Sequence, residues 1–139
     1  MVTQSIFKDI PTFNAWKSIE QIHQGFSYDL KYSITNERGE KYFLRISDAL
    51  SYDRKKQEHE IIGAMTKLGI PAIQQIDFGR CNHGKNVYML QTWINGETLE
   101  TALPTLSEEQ QYKLGLEAGK MLRTQVWRHN LPVADIARL

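Results

Sequence analysis

Lys41-Tyr42-Phe43-Leu44-Arg45-Ile46-Ser47-Asp48 is the stretch of sequence that decides the fold. Successive side chains of a β-strand point to opposite faces, so this stretch places Leu44 and Ile46 on one face and Phe43 and Arg45 on the other. A cation is thereby set in an apolar environment, where it needs a partner of opposite charge. The stretch predicts a strand with one buried face and with Arg45 on the other.

The partner expected for Arg45 is a carboxylate on the helix that follows. Glu58 edges the apolar stripe of that helix, because it lies three and four residues before Ile61 and Ile62. Glu60 is the alternative partner, but it directly precedes Ile61 and turns away from the stripe. We expect Glu58 to pair with Arg45, although ion pairs of this kind are often structural and do not by themselves indicate a function.

Four further strands and one helix are predicted around the central stretch. Alternation of side chains, turn residues and helix signals predict these elements. In chain order they are an imperfect strand over 16–24, a strand over 28–34, a turn over 36–39, a helix from the N-cap Ser51 to about Leu68 that ends at Gly69, a strand over 73–78, and a strand over 87–94. The order β-β-β-α-β-β predicts an α+β fold with a five-stranded antiparallel sheet and one packed helix.

The remainder of the chain is predicted to be helical. A short helix over 97–103 precedes Pro104, and Ser107 with Gln110 has the spacing of a capping box at the start of a longer C-terminal helix. We therefore divide the chain into a sheet domain, residues 1–95, and a helical segment, residues 96–139.

Composition excludes several classes of protein. A chain of 139 residues with a net charge of +1 can bury one sizeable core and has no broad basic surface for nucleic acid. Cys81 is the single cysteine and cannot form an internal disulfide, and no apolar run approaches the length of a membrane span. The N-terminus lacks the pattern of a signal peptide, and the histidines lack the spacing of metal ligands. We expect a soluble, cytoplasmic protein with no metal ligands of its own.

Several segments together resemble the amino-terminal lobe of the aminoglycoside phosphotransferase family, the small-molecule kinases with a protein-kinase-like fold. The resemblance spans residues 16 to about 123 and is carried by Gly25-Phe26-Ser27-Tyr28, 42–47, 52–58, Gly69-Ile70-Pro71, 76–79, 87–96, 106–115 and 118–122. Each motif is weak alone, while their order and spacing are fairly specific.

The resemblance implies a nucleotide site for ATP or GTP with Mg²⁺. The turn Gly25-Phe26-Ser27 would lie over the phosphates and offer backbone N–H groups and the Ser27 hydroxyl. Arg45 stands where kinases usually carry a phosphate-binding lysine, with Glu58 as its helix partner. Arginine keeps the charge and can bind phosphate through two hydrogen bonds. The alternative for the Gly-Phe-Ser segment is an ordinary hairpin turn.

The resemblance also implies where the base would bind. Phe43 would pack against the adenine ring, and the backbone of Gln91, Thr92, Trp93 and Ile94 would form the hinge that contacts the base edge. The alternatives are an ordinary core role for Phe43 and a packing role for Trp93.

The catalytic groups that the family requires are absent from the sequence. Phosphoryl transfer needs an aspartate that positions the acceptor hydroxyl and further groups that hold Mg²⁺. In the family these lie in a carboxy-terminal lobe with a His-Gly-Asp segment, and no His-Gly-Asp occurs here. We therefore expect a nucleotide-binding lobe that does not catalyse alone. The alternative is a non-catalytic interaction module that binds a partner or associates with itself through the exposed interlobe surface.

Overall fold

The computed structural model describes residues 5–25 and 27–129 of the chain. In it the stretch of alternating side chains forms a strand with the predicted bounds. The five strands are β1 Trp16–Ile22, β2 Leu30–Asn36, β3 Lys41–Asp48, β4 Gln75–Cys81 and β5 Asn86–Thr92. They form one sheet in the order β1-β2-β3-β5-β4, and every neighbouring pair is antiparallel. The predicted α+β fold with a five-stranded antiparallel sheet is confirmed.

The ends of four strands differ from the predicted ends. β1 ends at Ile22 instead of residue 24. β2 begins at Leu30 instead of residue 28, so Asp29 lies in the loop before the ladder. At the other edge, the Thr92 N–H donates to the Gln74 carbonyl at 3.0 Å, while the Gln74 N–H donates to the Thr92 side chain at 3.0 Å. This exchange of a backbone bond and a side-chain bond ends regular pairing, which is why β4 begins at Gln75, two residues after its predicted start, and β5 ends at Thr92, two residues before its predicted end.

One face of the sheet is covered by the N-terminal segment. Leu44 and Ile46 on β3 are 0% and 1% exposed, and they belong to a core cluster that includes Phe7 and Ile10 from that segment. Phe7 meets Tyr32 on β2 edge to face, with ring centroids 5.0 Å apart. Burial of one such apolar side chain stabilises the fold by about 1.5–3 kcal/mol, so this cluster provides the main apolar core of the sheet.

The helix α1, Tyr52–Lys67, packs on the opposite face. Its His59 ring stacks on Phe78 of β4 with centroids 5.1 Å apart, and its buried apolar residues include Ile62 and Met65. Gly69 has a φ of +74° and ends the helix as predicted, since a left-handed conformation favours glycine.

α1 begins after the predicted N-cap residue, but the hydrogen bonds at its start are not those of the predicted cap. Ser51 is the N-cap residue, yet its side chain accepts no bond from the helix. Its hydroxyl donates to the Asp48 carbonyl at 2.7 Å, and the Asp48 side chain accepts from the Leu50 N–H at 2.8 Å. A single 3₁₀ turn over Ala49–Ser51 precedes the helix, so these side chains stabilise that turn instead.

The C-terminal part of the chain forms a compact unit of its own. Contacts divide the chain into Met1–Ile94 and Asn95–Leu139. The second unit holds a short helix α2, Leu99–Ala102, a 3₁₀ turn over Leu103–Thr105, and the long helix α3, Glu108–His129.

The start of α3 confirms the predicted capping box. The Ser107 N–H donates to Gln110 Oε1 at 2.9 Å, and the Gln110 N–H donates to Ser107 Oγ at 3.2 Å.

Among the helices that the structure describes, none has both the length and the apolar character needed to cross a membrane.

Candidate functional site

Arg45 and Glu58 are paired as the sequence predicts. The Arg45 Nη1 donates to Glu58 Oε1 at 2.8 Å, which joins the middle strand of the sheet to α1. Glu60, the alternative partner, is exposed to solvent. The face of β3 that carries Arg45 is therefore the face on which α1 packs.

Asp29 provides a second carboxylate that binds Arg45, and it was not identified from the sequence. Asp29 Oδ2 accepts from Arg45 Nη2 at 2.6 Å and from Arg45 Nε at 3.1 Å. Its other oxygen, Oδ1, accepts from the Ser47 hydroxyl at 2.9 Å. Asp29 lies in a loop between two strands, where a polar residue is ordinary, so no local pattern marks it.

Lys55 is the second cation of the same cluster. Its Nζ lies 2.6 Å from Asp29 Oδ2 and 3.5 Å from Glu58 Oε2, and the residue is only 5% exposed. The sequence contains a signal for it, since Lys55 precedes Glu58 by three residues and Ile62 by seven, and these positions share one helix face. The run of charged residues around Lys55 hides this signal because it resembles a solvated face.

The four side chains of Arg45, Lys55, Asp29 and Glu58 form one charge cluster, which we call the β3–α1 cluster. Burial alone would raise the pKa of Asp29, but the hydrogen bond from Lys55 and the charge of Arg45 outweigh it and hold the pKa below its ordinary value. Burial would lower the pKa of Arg45, but the charge and hydrogen bond of Glu58 outweigh it and raise the pKa. The two positive charges and the two negative charges of the partly buried cluster therefore cancel, and its net charge is zero.

The Gly25 turn lies next to a third cation, Lys31. Lys31 pairs in register with Arg45 across β2 and β3, so both side chains are on the same face of the sheet. Its Nζ donates to the Gln24 carbonyl at 3.1 Å, and a Cβ added to Gly25 would lie 2.5 Å from that nitrogen. Gly25 has a φ of +100°, so the turn at this position favours glycine.

The predicted phosphate turn also contains Phe26 and Ser27. Ser27 is exposed, and its hydroxyl makes no hydrogen bond to any residue that the structure describes. Phe26 lies outside the described residues. The turn is connected to the β3–α1 cluster through Asp29, two residues beyond Ser27.

Phe43 and Trp93 come together beside the cluster. Phe43 lies on the same face of β3 as Arg45, and its ring meets the Trp93 ring edge to face with centroids 6.4 Å apart. The Lys41 Nζ lies 4.2 Å from the centroid of the Trp93 ring. Both aromatic rings are partly exposed, which leaves apolar surface on which a planar ligand can stack.

The predicted hinge residues fall into two groups. Gln91 has ladder partners on both sides, Phe43 on β3 and Gln75 on β4, and the Thr92 N–H is bonded to Gln74. In contrast, the backbone groups of Trp93 and Ile94 make no hydrogen bond to other described residues of the sheet unit. Free backbone donors and acceptors therefore begin at Trp93.

Comparison with known proteins matches most of the chain to one family. The sequence model of a family described as the phosphotransferase enzyme family matches residues 18–136. No curated protein matches the chain.

A solved structure matches the fold. The chain is similar to a protein from Haemophilus somnus 129PT that is described as a fructosamine-3-kinase, with 17% sequence identity and a TM-score of 0.57. The match covers 69% of this chain and 34% of that chain, so the present chain spans about a third of that protein's length. At this level of identity the likeness concerns the fold, which is that of a kinase amino-terminal lobe.

Proposed function

Because the chain belongs to the phosphotransferase enzyme family, we propose that its sheet unit is the nucleotide-binding lobe of a small-molecule kinase. The reaction is transfer of phosphate from ATP or GTP to a hydroxyl group of the acceptor. The observation that carries this proposal is the bond of 2.8 Å between Arg45 on the middle strand and Glu58 on the packed helix. In a kinase such a pair holds the cation that contacts the nucleotide phosphates.

The residues of the lobe divide into a phosphate part and a base part. Arg45 contacts the phosphates through its guanidinium group, and Gly25 and Ser27 supply backbone and hydroxyl donors. Phe43 stacks against the base, and the base edge bonds to the backbone of Trp93 and Ile94. Gln91 and Thr92 support this hinge through the ladder instead of through contact with the base.

The nucleotide is expected to bind as a complex with Mg²⁺, which neutralises charge on the phosphates as they are transferred. Within residues 5–25 and 27–129, no group of three or more His, Cys, Asp or Glu side chains could hold a metal ion. We expect the residues of this unit to contact the nucleotide and the metal ligands to lie in a carboxy-terminal lobe. We propose that the 139-residue chain alone binds nucleotide and does not transfer phosphate, as it contains no His-Gly-Asp segment.

The acceptor is proposed to be a small polar molecule that carries a hydroxyl group. Support comes from the family resemblance to aminoglycoside kinases and from the solved relative, which is described as a kinase of fructosamine. We expect such an enzyme to work in the cytoplasm, where nucleotide is available.

Calorimetric titration of the purified chain with Mg-ATP and Mg-GTP tests the proposal. Half of a nucleotide cleft desolvates only part of its ligand. We therefore expect a dissociation constant in the millimolar range, which corresponds to a binding free energy of roughly −4 kcal/mol. Arg45→Met should abolish the heat, while Arg38→Met, in the exposed turn between β2 and β3, should not change it. A folded chain that gives no heat at millimolar nucleotide would contradict the proposal.

Self-association is a second candidate function, favoured by exposed apolar side chains on α3. Tyr112, Leu114, Leu116 and Leu122 are 69%, 42%, 46% and 46% exposed. Apolar side chains at this density favour contact with another surface. The mass of the chain in solution decides this candidate: a dimer that Leu114→Glu together with Leu122→Glu converts to a monomer would support it, and a monomer at high concentration would exclude it.

A further inference from the structure

Two cations of the β3–α1 cluster converge on a single oxygen atom. Asp29 Oδ2 lies 2.6 Å from Arg45 Nη2 and 2.6 Å from Lys55 Nζ. An anionic oxygen held by a guanidinium and an ammonium at these distances has the environment that proteins give to a phosphate oxygen. Asp29 thus occupies a position suited to an external anion.

The carboxylate in this position belongs to a loop. β1 ends at Ile22 and β2 begins at Leu30, so Asp29 lies outside the strand ladder. Its side chain can therefore move away from the two cations without breaking a backbone bond of the sheet. Glu58, in contrast, lies within α1 and keeps its bond to Arg45.

The net charge of the cluster determines whether a phosphate group is attracted to this position or repelled from it. With Asp29 in place, two carboxylates cancel the charges of Arg45 and Lys55, and an incoming phosphate is repelled at short range. With Asp29 displaced, Arg45 and Lys55 face a single carboxylate, Glu58, and the cluster carries one net positive charge. A phosphate therefore gains from the cluster only when Asp29 leaves it.

We propose that Arg45 and Lys55 together form a binding site for one phosphate group of the nucleotide, and that Asp29 fills this site until the phosphate displaces it. This inference rests on the proposed function, because the phosphate is that of the nucleotide. It assigns Lys55 as a second phosphate-binding cation and Asp29 as an internal competitor of the ligand.

The test compares Asp29→Asn with the unaltered chain in calorimetric titrations with inorganic tripolyphosphate and with Mg-ATP. Asparagine keeps the size of the side chain and removes the charge, so Asp29→Asn should bind tripolyphosphate about tenfold more tightly or better. Lys55→Met in the Asp29→Asn background should remove this gain. Glu37→Gln is the matched control, because Glu37 is exposed in the turn between β2 and β3 and the substitution changes the net charge equally.

The outcomes separate this inference from the proposed function. If the unaltered chain binds Mg-ATP and Asp29→Asn binds both ligands no more tightly, Asp29 is not a competitor and only this inference fails. An equal gain from Glu37→Gln would assign the effect to net charge and would also overturn it. If neither the unaltered chain nor Asp29→Asn binds either ligand while both are folded, the proposed function fails as well.

A second variant serves if Asp29→Asn does not fold, as judged by circular dichroism. Ser47→Ala removes the bond of 2.9 Å from the Ser47 hydroxyl to Asp29 Oδ1 without a change of charge. Asp29 is then held less firmly, so tripolyphosphate affinity should rise about twofold or more. An affinity that is unchanged or lower would contradict the inference.

Discussion

Arg45 on β3 and Glu58 on α1 are joined by a bond of 2.8 Å, which couples the middle of the sheet to the helix packed on it. Both side chains are largely shielded from solvent, at 17% and 12% exposed. Removal of one partner from such a pair leaves the other charge poorly solvated, so each substitution at this pair is expected to lower the stability of the sheet unit.

Glu58→Gln should destabilise the sheet unit by about 1–3 kcal/mol, because Arg45 loses a charged acceptor while Lys55 remains nearby. Glu60→Gln, on the exposed side of the same helix, should change the free energy of unfolding by less than about 0.5 kcal/mol. Urea unfolding followed by circular dichroism measures both. Equal effects of the two substitutions would show that the ion pair contributes nothing.

Arg45→Lys should retain only part of the stability that Arg45→Met loses. Arginine bonds two carboxylates through three different nitrogens, whereas lysine presents one nitrogen and cannot span Asp29 and Glu58 in the same geometry. We expect Arg45→Lys to cost about 1 kcal/mol and Arg45→Met about 2–4 kcal/mol in urea unfolding. Full stability in Arg45→Lys would mean that charge alone is needed.

The pH dependence of stability should contain a contribution from Asp29. The pKa of Asp29 is lowered in the folded chain, so the unfolded chain binds more protons and stability rises with pH in this window. The contribution is complete above the unfolded pKa of about 3.9 and is lost as the pH falls through the lower folded value. Other carboxylates also titrate here, so the measurement is the difference between the unaltered chain and Asp29→Asn. That difference should shrink below about pH 4, and a difference independent of pH would contradict the prediction.

Asp9→Ala should loosen the attachment of the N-terminal segment to the sheet. The Asp9 carboxylate accepts from the backbone N–H groups of Asn82 and His83 at 2.9 Å and 3.0 Å, in a turn where both residues have positive φ. The loss should be about 0.5–1.5 kcal/mol, since the bonds are exposed. Lys8→Ala, at the preceding exposed position, is the control and should be nearly neutral. Faster hydrogen exchange at Asn82 and His83 in Asp9→Ala alone would confirm the role.

Gly25→Ala should destabilise the Gly25 turn, whereas Gly115→Ala should stabilise α3. Gly25 combines a φ of +100° with the nearby Lys31 Nζ, and an alanine there is strained by about 1 kcal/mol. Gly115 has open space around it and lies within a helix, where alanine is favoured by roughly 0.5–1 kcal/mol. Thermal unfolding of the two variants should therefore shift in opposite directions, and a shared direction would contradict the account of Gly25.

Much of the fold was predictable because its signals are local. The alternation in residues 41–48 defines β3, Gly69 ends α1, and Ser107 with Gln110 starts α3 through reciprocal bonds. Each of these depends on neighbours within a few residues, where backbone geometry fixes which side chains can meet. The predicted N-cap bond of Ser51 did not form. Its hydroxyl donates to the Asp48 carbonyl in the 3₁₀ turn before the helix instead.

The candidate site was predictable only in part. Arg45 and Glu58 could be paired from the sequence because strand alternation and helix periodicity place each on a definite face. Asp29 and Lys55 could not, since their meeting depends on a loop that brings Asp29 to the helix face of the sheet, where its carboxylate reaches Lys55 at 2.6 Å. The sequence by itself therefore determined the order of elements and the pairing of Arg45 with Glu58. Only the tertiary structure decided that a second carboxylate and a second cation complete the cluster, because contacts between distant segments depend on the packing of the whole unit.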